Sequence, residues 1–342
     1  MTSSSATSPV RSVTPEKRAS AEVRPSDELK IVFMGTPAFA ALCLDRLLAG
    51  RHSVIAVVSR PDRRSGRGQQ LRASEVKRLA ERCGIEVMAP STPSEQAFRD
   101  HLRELAPHLV VVVAYGRILP REVLDIPTHG CINAHASLLP RLRGAAPIER
   151  AILEGHDKTG VSIIRMNERM DEGDIILSAA VDLHSGVDGG TLRATLAELS
   201  AELLDEAIER IADGTAVYTP QDSSLATFAP PIKREEMRID WSEDAAAVLR
   251  RVMAFRPRPG AFAYACGKRL KILSAELADS APSTAEAGVI LEASAKGLLV
   301  ACGEGTVLVT SVQPEGRREM SVGDFLRGFP STAPLLSFDV ET

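Results

Sequence analysis

Cysteine is scarce in this sequence of 342 residues, and the few cysteines are scattered along its length. They are Cys43, Cys83, Cys131, Cys266 and Cys302. Their number is odd and no two of them are spaced as Cys-x-x-Cys, so the pattern predicts neither a disulfide framework nor a zinc knuckle. A chain without either device fits a reducing compartment, and we expect the protein to be cytoplasmic.

Long apolar runs are also absent. No stretch approaches the ~20 apolar residues that a membrane-spanning helix needs, so we do not expect a membrane protein.

Residues 1–29 are rich in Ser, Thr, Ala and Pro and lack the apolar block of a secretory signal. Acidic residues within them, such as Glu16 and Glu22, argue against an organelle-targeting segment. We therefore interpret residues 1–29 as a disordered leader.

Acidic residues are missing from residues 250–272, although the whole chain has a formal net charge of -4. The basic residues of this segment are Arg250, Arg251, Arg256, Arg258, Lys268, Arg269 and Lys271. Such a patch is an electrostatic footprint for phosphate groups, but basic runs are also common on solvated surfaces. The patch alone does not identify a partner.

The glycine-rich fingerprint of dinucleotide-binding proteins is absent after the first predicted strand, where Gly35 is followed by Thr36 and Pro37.

From Lys30 onward, short β-branched runs alternate with amphipathic stretches. The apolar run at residues 109–113 is continuous, which is typical of a strand buried on both faces of a parallel sheet. The alternation predicts a doubly wound α/β domain with a mostly parallel sheet over residues 30–214.

The pattern changes after residues 215–231, a proline-containing stretch that we interpret as an interdomain linker. One predicted helix, at residues 242–255, is followed by strand-like runs that no helix separates. These runs cover residues 261–264, 268–275, 288–292, 297–302 and 305–313. Glycine-marked turns between them favour a small antiparallel β-barrel of the oligonucleotide-binding (OB) kind over residues 232–332, followed by a tail at 333–342.

The strongest functional signal is the pair Asn133 and His135, close to the end of a predicted parallel strand. Residues two apart on a strand project to the same side, and the carboxyl ends of such strands are where α/β sheets bind ligands. An amide donor suits a reaction that builds negative charge on a carbonyl oxygen, where one well-placed donor contributes ~3 kcal/mol. An imidazole beside it can transfer a proton. Acyl or formyl transfer needs both groups.

Two neighbouring features bear on the role of His135. His129 and Cys131 align with it on the strand, but no fourth ligand is apparent, so we predict no metal site. The turn at residues 170–174 offers Asp171 and Asp174, and a carboxylate beside the imidazole would favour its charged form and fix its orientation. The spacing does not decide which of the two carboxylates lies nearer.

Together these motifs closely resemble the methionyl-tRNA formyltransferase family, over residues 30–329. The resemblance rests first on Asn-x-His-x-Ser-Leu-Leu-Pro at residues 133–140, the following Arg-Leu-Arg-Gly-Ala-Ala-Pro-Ile at 141–148, and Asp-Glu-Gly-Asp at 171–174. Shorter matches are Phe-Met-Gly-Thr-Pro at 33–37, Arg-Pro-Asp-Arg at 60–63, Gly-Arg-Gly at 66–68, Val-Ala-Tyr-Gly at 113–116 and Ile-Asp-Trp at 239–241. Gln69, Gln70 and Leu142 depart from the family's usual pattern.

The resemblance implies an enzyme that transfers a formyl group from 10-formyltetrahydrofolate to the α-amino group of methionine on initiator tRNA. On the family's pattern, Asn133 and His135 stabilise the tetrahedral oxyanion, and Asp171 supports His135. The folate-contacting segment corresponds to Ser137, Leu138, Leu139 and Pro140. The residues expected to contact tRNA are Arg63, Arg67, Arg256, Lys268 and Arg269, of which Arg67 matches an important basic residue of a loop that enters the acceptor end.

Two other functions remain open at this stage. The first is a folate-dependent formyltransferase that acts on a small amine such as glycinamide ribonucleotide or an amino sugar nucleotide. The Arg67 loop and the basic barrel argue against it, because a small acceptor needs neither. The second is a non-catalytic tRNA-binding protein, which the intact set Asn133, His135 and Asp171 disfavours. We expect the protein to be a monomer.

Overall fold

The computed structural model describes residues 28–65, 70–184, 186–265, 267–278, 285–328 and 338. Of the predicted leader, only Glu28 and Leu29 are described, and of the predicted tail only Phe338. Arg67 also lies outside the described residues. Leu29 is buried in the core of the first domain. Within the described residues, no helix is both long enough and apolar enough to cross a membrane.

The first part of the chain alternates strands and helices, as its sequence predicts. The strands are β1 (Lys30–Gly35), β2 (Ser53–Val58), β3 (Arg63–Ser65), β4 (Gln70–Arg72), β5 (Glu86–Met88), β6 (Leu109–Val113), β7 (Cys131–His135), β8 (Arg143–Gly144), β9 (Lys158–Arg165), β10 (Ile175–Asp182) and β11 (Phe228–Ala229). The helices are α1 (Ala38–Leu48), α2 (Glu75–Arg82), α3 (Gln96–Leu105), α4 (Arg121–Leu124), α5 (Pro147–Leu153) and α6 (Gly189–Ala212).

Seven strands form the main sheet, in the order β10-β9-β7-β6-β1-β2-β5. Strands β5, β2, β1, β6 and β7 run parallel, whereas β9 and β10 are antiparallel to their neighbours. Alternate residues of β1 enter different cores: Ile31 lies in the core that contains α1 and α6, and Val32 lies in the core that contains α3. Helices therefore cover both faces of a mostly parallel sheet, which confirms the predicted α/β class.

The segment predicted as a linker packs along the first domain. Thr219 forms an isolated antiparallel bridge with Ile175 of β10. A short 3-10 turn at Ser223–Leu225 follows, and β11 then pairs in parallel with β8. These main-chain contacts bring Thr219 against β10 and residues 227–229 against the segment that follows β7.

The second domain is an antiparallel sheet with two described helices, in agreement with the predicted small antiparallel domain. Its elements are α7 (Ala245–Phe255), β12 (Ala261–Ala265), β13 (Lys268–Leu277), β14 (Ile290–Ser294), β15 (Gly297–Ala301), β16 (Thr306–Pro314), β17 (Met320–Ser321) and α8 (Val322–Arg327). The strand order is β12-β13-β16-β15-β14, and β17 pairs with β16. Trp241 is buried in its core, where the ring of Phe338 stacks on it at 4.9 Å between centroids.

The two domains contact each other through charged side chains and the main chain. Arg150 of α5 lies 2.6 Å from the carboxylate of Glu236, which belongs to a 3-10 turn at Glu235–Met237. The carbonyl oxygen of Arg256, at the end of α7, accepts a hydrogen bond from the N–H of Gly190 in α6.

Candidate functional site

Asn133 and His135 lie on the same face at the carboxyl end of β7. The intervening Ala134 and the preceding Ile132 enter the core on the opposite face, as strand alternation requires. The side-chain amide of Asn133 is half-buried and has no hydrogen-bond partner within the described part of the chain. An unpaired amide at a strand end is available to a ligand.

The imidazole of His135 is held on both sides by the loops that follow. Its side chain is only 6% exposed. Nε2 lies 2.9 Å from the carbonyl oxygen of Leu142, and Nδ1 lies 3.6 Å from Oδ2 of Asp171. The ring is therefore oriented by a main-chain acceptor on one nitrogen and by a carboxylate on the other.

Asp171, and not Asp174, faces the imidazole. Asp171 adopts a left-handed backbone conformation with φ of 56°, and its Oδ2 accepts a hydrogen bond of 2.9 Å from the N–H of Gly144. Two residues later the turn passes so close to β9 that a Cβ at Gly173 would collide with the carbonyl oxygen of Arg165. The turn thus requires a glycine at 173 and directs the Asp171 carboxylate toward β7.

Behind this carboxylate lies a partly buried polar network that the sequence did not indicate. The side chain of Arg143 is only 2% exposed, and its guanidinium donates to Oε1 of Gln221 and contacts Glu172 at 3.1 Å. Nε2 of Gln221 donates to the carbonyl oxygens of Asp171 and Gly173, at 2.8 and 2.7 Å. No signal in the sequence separates Arg143 from a surface arginine, or Gln221 from an ordinary linker residue.

The segment expected to contact folate follows β7 directly. Ser137 is buried, and its hydroxyl donates to the carbonyl oxygen of Arg141 at 2.6 Å. Leu139 is also buried, and its N–H donates to Ser162. Leu138 and Pro140 are partly exposed and are therefore the accessible side chains of this segment.

The residues expected to contact tRNA lie in three places. Arg63 belongs to β3, which pairs with β4 to form a hairpin, and Arg67 lies outside the described residues. Arg256 follows α7 and lies 3.9 Å from Asp188. Lys268 and Arg269 begin β13, where Lys268 is exposed and the Arg269 guanidinium lies 3.4 Å from Glu315.

Thiols are unsuited to act as nucleophiles in the core of this protein. Burial raises the pKa of Cys43, of Cys131 and of Cys302 to about 12. These thiols remain protonated near neutral pH, and a neutral thiol is a weak nucleophile.

Across the described ranges, no group of three or more His, Cys, Asp or Glu side chains is arranged to hold a metal ion.

Comparison with known proteins matches both domains. The model of the family described as "Formyl transferase" matches residues 29–208, and that of "Formyl transferase, C-terminal domain" matches residues 231–330. The methionyl-tRNA formyltransferase of Moorella thermoacetica is 44% identical over 302 residues, which are 88% of this chain and 97% of that protein. That of Aromatoleum aromaticum is 45% identical over 305 residues, which are 89% of this chain and 96% of that protein.

A solved structure supports the same fold. HypX from Aquifex aeolicus, crystallised in complex with tetrahydrofolic acid, superposes with a TM-score of 0.61 at 20% sequence identity. The superposition covers 92% of this chain and 51% of HypX, so the chain spans about half the length of that protein. At this identity the likeness concerns the fold, whereas the curated relatives match nearly end to end at more than 40% identity. On these matches, the chain belongs to the methionyl-tRNA formyltransferase family.

Proposed function

We propose that this protein transfers a formyl group from 10-formyltetrahydrofolate to the amino group of methionine on initiator tRNA, in preparation for translation initiation. One observation carries the proposal: at the carboxyl end of β7, the unpaired Asn133 amide shares a strand face with His135, whose imidazole lies 3.6 Å from the Asp171 carboxylate. Family membership defines the reaction, and this arrangement supplies groups suited to it.

The reaction places specific demands on these groups. The amine nitrogen adds to the formyl carbon, so negative charge develops on the formyl oxygen in a tetrahedral intermediate. The bond from the formyl carbon to N10 of the folate then breaks, N10 gains a proton and the former amine loses one. An amide donor aimed at the developing oxyanion lowers the barrier by ~3 kcal/mol, and we assign this role to Asn133 together with His135.

Proton movement falls to the imidazole and its carboxylate. Asp171 is positioned to stabilise positive charge on His135 when the ring takes up a proton, as carboxylates do in other imidazole pairs. The Gly144 N–H bonds the same carboxylate oxygen and fixes its position. In this assignment Asp171 acts through His135.

The remaining residues are assigned to substrate binding. We assign Ser137, Leu138, Leu139 and Pro140 to the folate site, because they follow β7 immediately. We assign Arg63, Arg67, Arg256, Lys268 and Arg269 to tRNA, because cationic side chains match the negative charge of a phosphate backbone. On this assignment, residues 232–332 form a tRNA-binding domain. We propose separately that the protein acts in the cytoplasm as a monomer.

An acceptor panel tests the proposal directly. The full chain is incubated with 10-formyltetrahydrofolate and, separately, methionyl initiator tRNA, glycinamide ribonucleotide or an amino sugar nucleotide. We expect N-formylmethionine on the tRNA and no formylated small amine, as judged by mass spectrometry of the products. Formylation of a small amine alone, or of no acceptor, would refute the assignment.

A further inference from the structure

Gln221 occupies an unusual position for a residue between two domains. It follows Pro220 in the stretch that links the first domain to the second, yet its side chain reaches the turn that carries Asp171. The residues that contact its amide are 48 to 78 positions away in sequence. Such a contact orders the linker against the site.

The amide of Gln221 uses its donors and its acceptor at once. Its Nε2 donates to the carbonyl oxygens of Asp171 and Gly173. Its Oε1 accepts from Nε and Nη2 of Arg143, at 3.1 and 2.8 Å. Because a guanidinium can only donate, Arg143 fixes the amide with its oxygen toward the arginine and its nitrogen toward the turn.

The same arginine also holds the neighbouring carboxylate. Nη1 of Arg143 lies 3.1 Å from Oε1 of Glu172, whose other oxygen lies 3.1 Å from Arg169. Glu172 is therefore engaged by two arginines, while Asp171 bonds Gly144 and faces His135. The network distinguishes two adjacent acidic residues and presents one of them to the imidazole.

We propose that Gln221 is a positioning residue for the reaction: it sets the Asp171 carboxylate against His135 by fixing the turn at residues 171–173, in which Asp171 is left-handed. This inference rests on the proposed function, because it assigns Gln221 a role in that chemistry. A left-handed conformation is unfavourable for a non-glycine residue, and it persists where surrounding contacts impose it. The two hydrogen bonds from Gln221 are such contacts.

The substitution Gln221→Glu tests the inference with almost no change of shape. A carboxylate still accepts from Arg143 but cannot donate to the carbonyl oxygens of Asp171 and Gly173, and its charge repels them. We expect kcat to fall at least tenfold, with KM for formyl-folate and for tRNA changed less than twofold. Gln96→Glu makes the same exchange on the exposed side of α3 and should leave kcat unchanged.

A double-mutant cycle with Asp171→Asn separates positioning from general destabilisation. If Gln221 acts through the Asp171 carboxylate, Gln221→Glu should change kcat less than twofold once that carboxylate is gone. An equal fall in both backgrounds would overturn the inference, as would a wild-type kcat for Gln221→Glu.

Two further measurements keep the outcome decisive. If Gln221→Glu does not fold, Gln221→Asn replaces it, because this variant keeps the amide but withdraws it by one methylene. Gln221→Asn should lower kcat when Asp171 is present and change it less than twofold in the Asp171→Asn background. A folded Gln221→Asn variant with wild-type kcat would overturn the inference. Failure of the proposed function is distinguishable, because the wild-type protein itself would then form no formylated product.

Discussion

The carbonyl oxygen of Leu142 lies 2.9 Å from Nε2 of His135. Because a carbonyl oxygen can only accept, this contact favours the tautomer with a hydrogen on Nε2, and it leaves Nδ1 facing the Asp171 carboxylate. Leu142 presents this oxygen with φ of 58°, and its own N–H donates to Oγ1 of Thr227 at 2.9 Å. The linker thus helps to hold the carbonyl oxygen that orients the imidazole.

Replacing His135 should separate chemistry from binding. We expect His135→Ala to lower kcat by about 10²- to 10⁴-fold, the range typical of a lost general acid or base, with nearly unchanged affinity for tRNA. Single-turnover formylation and a tRNA filter-binding assay measure the two quantities. His101→Ala, beside the edge strand β5, is the matched control and should retain full activity. A fully active His135→Ala variant would eliminate the assignment.

Asn133 should act through its amide donor. We expect Asn133→Ala to lower kcat about 10²- to 10³-fold, and the isosteric Asn133→Asp to lower it further, because a carboxylate repels the developing oxyanion. Asn167→Asp keeps the acceptor that Asn167 offers to the N–H of Arg169 and serves as the control. Steady-state kcat for the three variants decides the question, and equal activities of Asn133→Ala and wild type would contradict it.

Much of the architecture could be predicted from local patterns. The apolar run at residues 109–113 predicted a strand covered on both faces, and every residue of β6 is buried. The strand-like runs after residue 260 also correspond to β12 through β16, with ends displaced by a few residues. Strand alternation placed Asn133 and His135 on one face because that property depends only on the strand itself.

The rest of the site depends on contacts between distant segments. Arg143 lies in a basic stretch that suggests a surface, yet it is buried because Glu172 and Gln221 surround its guanidinium. The choice between Asp171 and Asp174 is made by the backbone conformation of the turn, which residue spacing does not define. Propensities describe neighbours along the chain, whereas these contacts arise only when the loops assemble.

Gly144 should be irreplaceable for two reasons at once. Its φ is 127°, and a Cβ there would lie 2.6 Å from the carbonyl oxygen of Ala229. We expect Gly144→Ala to cost about 1–3 kcal/mol of unfolding free energy and to lower kcat, because the Gly144 N–H bonds Asp171. At Gly214 φ is 69°, but an added Cβ would have no atom within 4 Å. Gly214→Ala should therefore lower the unfolding free energy by only about 1 kcal/mol and leave kcat unchanged. Urea unfolding and kcat of both variants provide the comparison, and equal behaviour of the two would argue against it.

The contact between the domains should be sensitive to pH. Arg150, which hydrogen-bonds Glu236, holds the pKa of that carboxyl below its ordinary value of 4.5, and the backbone N–H of Lys233 adds to the effect. A carboxyl with a depressed pKa stabilises the fold above its unfolded-state pKa, and the contribution is lost as pH falls through the folded-state value. We expect Glu236→Gln to lower the unfolding free energy by about 1 kcal/mol at pH 7.

That difference should shrink below pH 4.5 and vanish once the Glu236 carboxyl is protonated in the folded protein. Denaturant unfolding of both proteins between pH 7 and pH ~3 measures it. Glu235→Gln changes the exposed neighbour in the same turn and should have no comparable effect. A difference that stays constant over this range would show that the Glu236 charge contributes nothing.

Arg67 should matter for tRNA and not for folate. In sequence it lies between β3 and β4, which form an antiparallel pair. We expect Arg67→Ala to lower kcat/KM for methionyl initiator tRNA at least tenfold while leaving KM for formyl-folate unchanged. If Arg67 binds a phosphate of the single-stranded acceptor end, the slope of log Kd against log salt should also fall by about 0.7.

The control is Arg78→Ala, on the exposed side of α2, which tests whether the loss of any nearby positive charge is enough to lower kcat/KM for the tRNA. Unchanged turnover of Arg67→Ala, or an equal loss in Arg78→Ala, would remove the specific role assigned to Arg67.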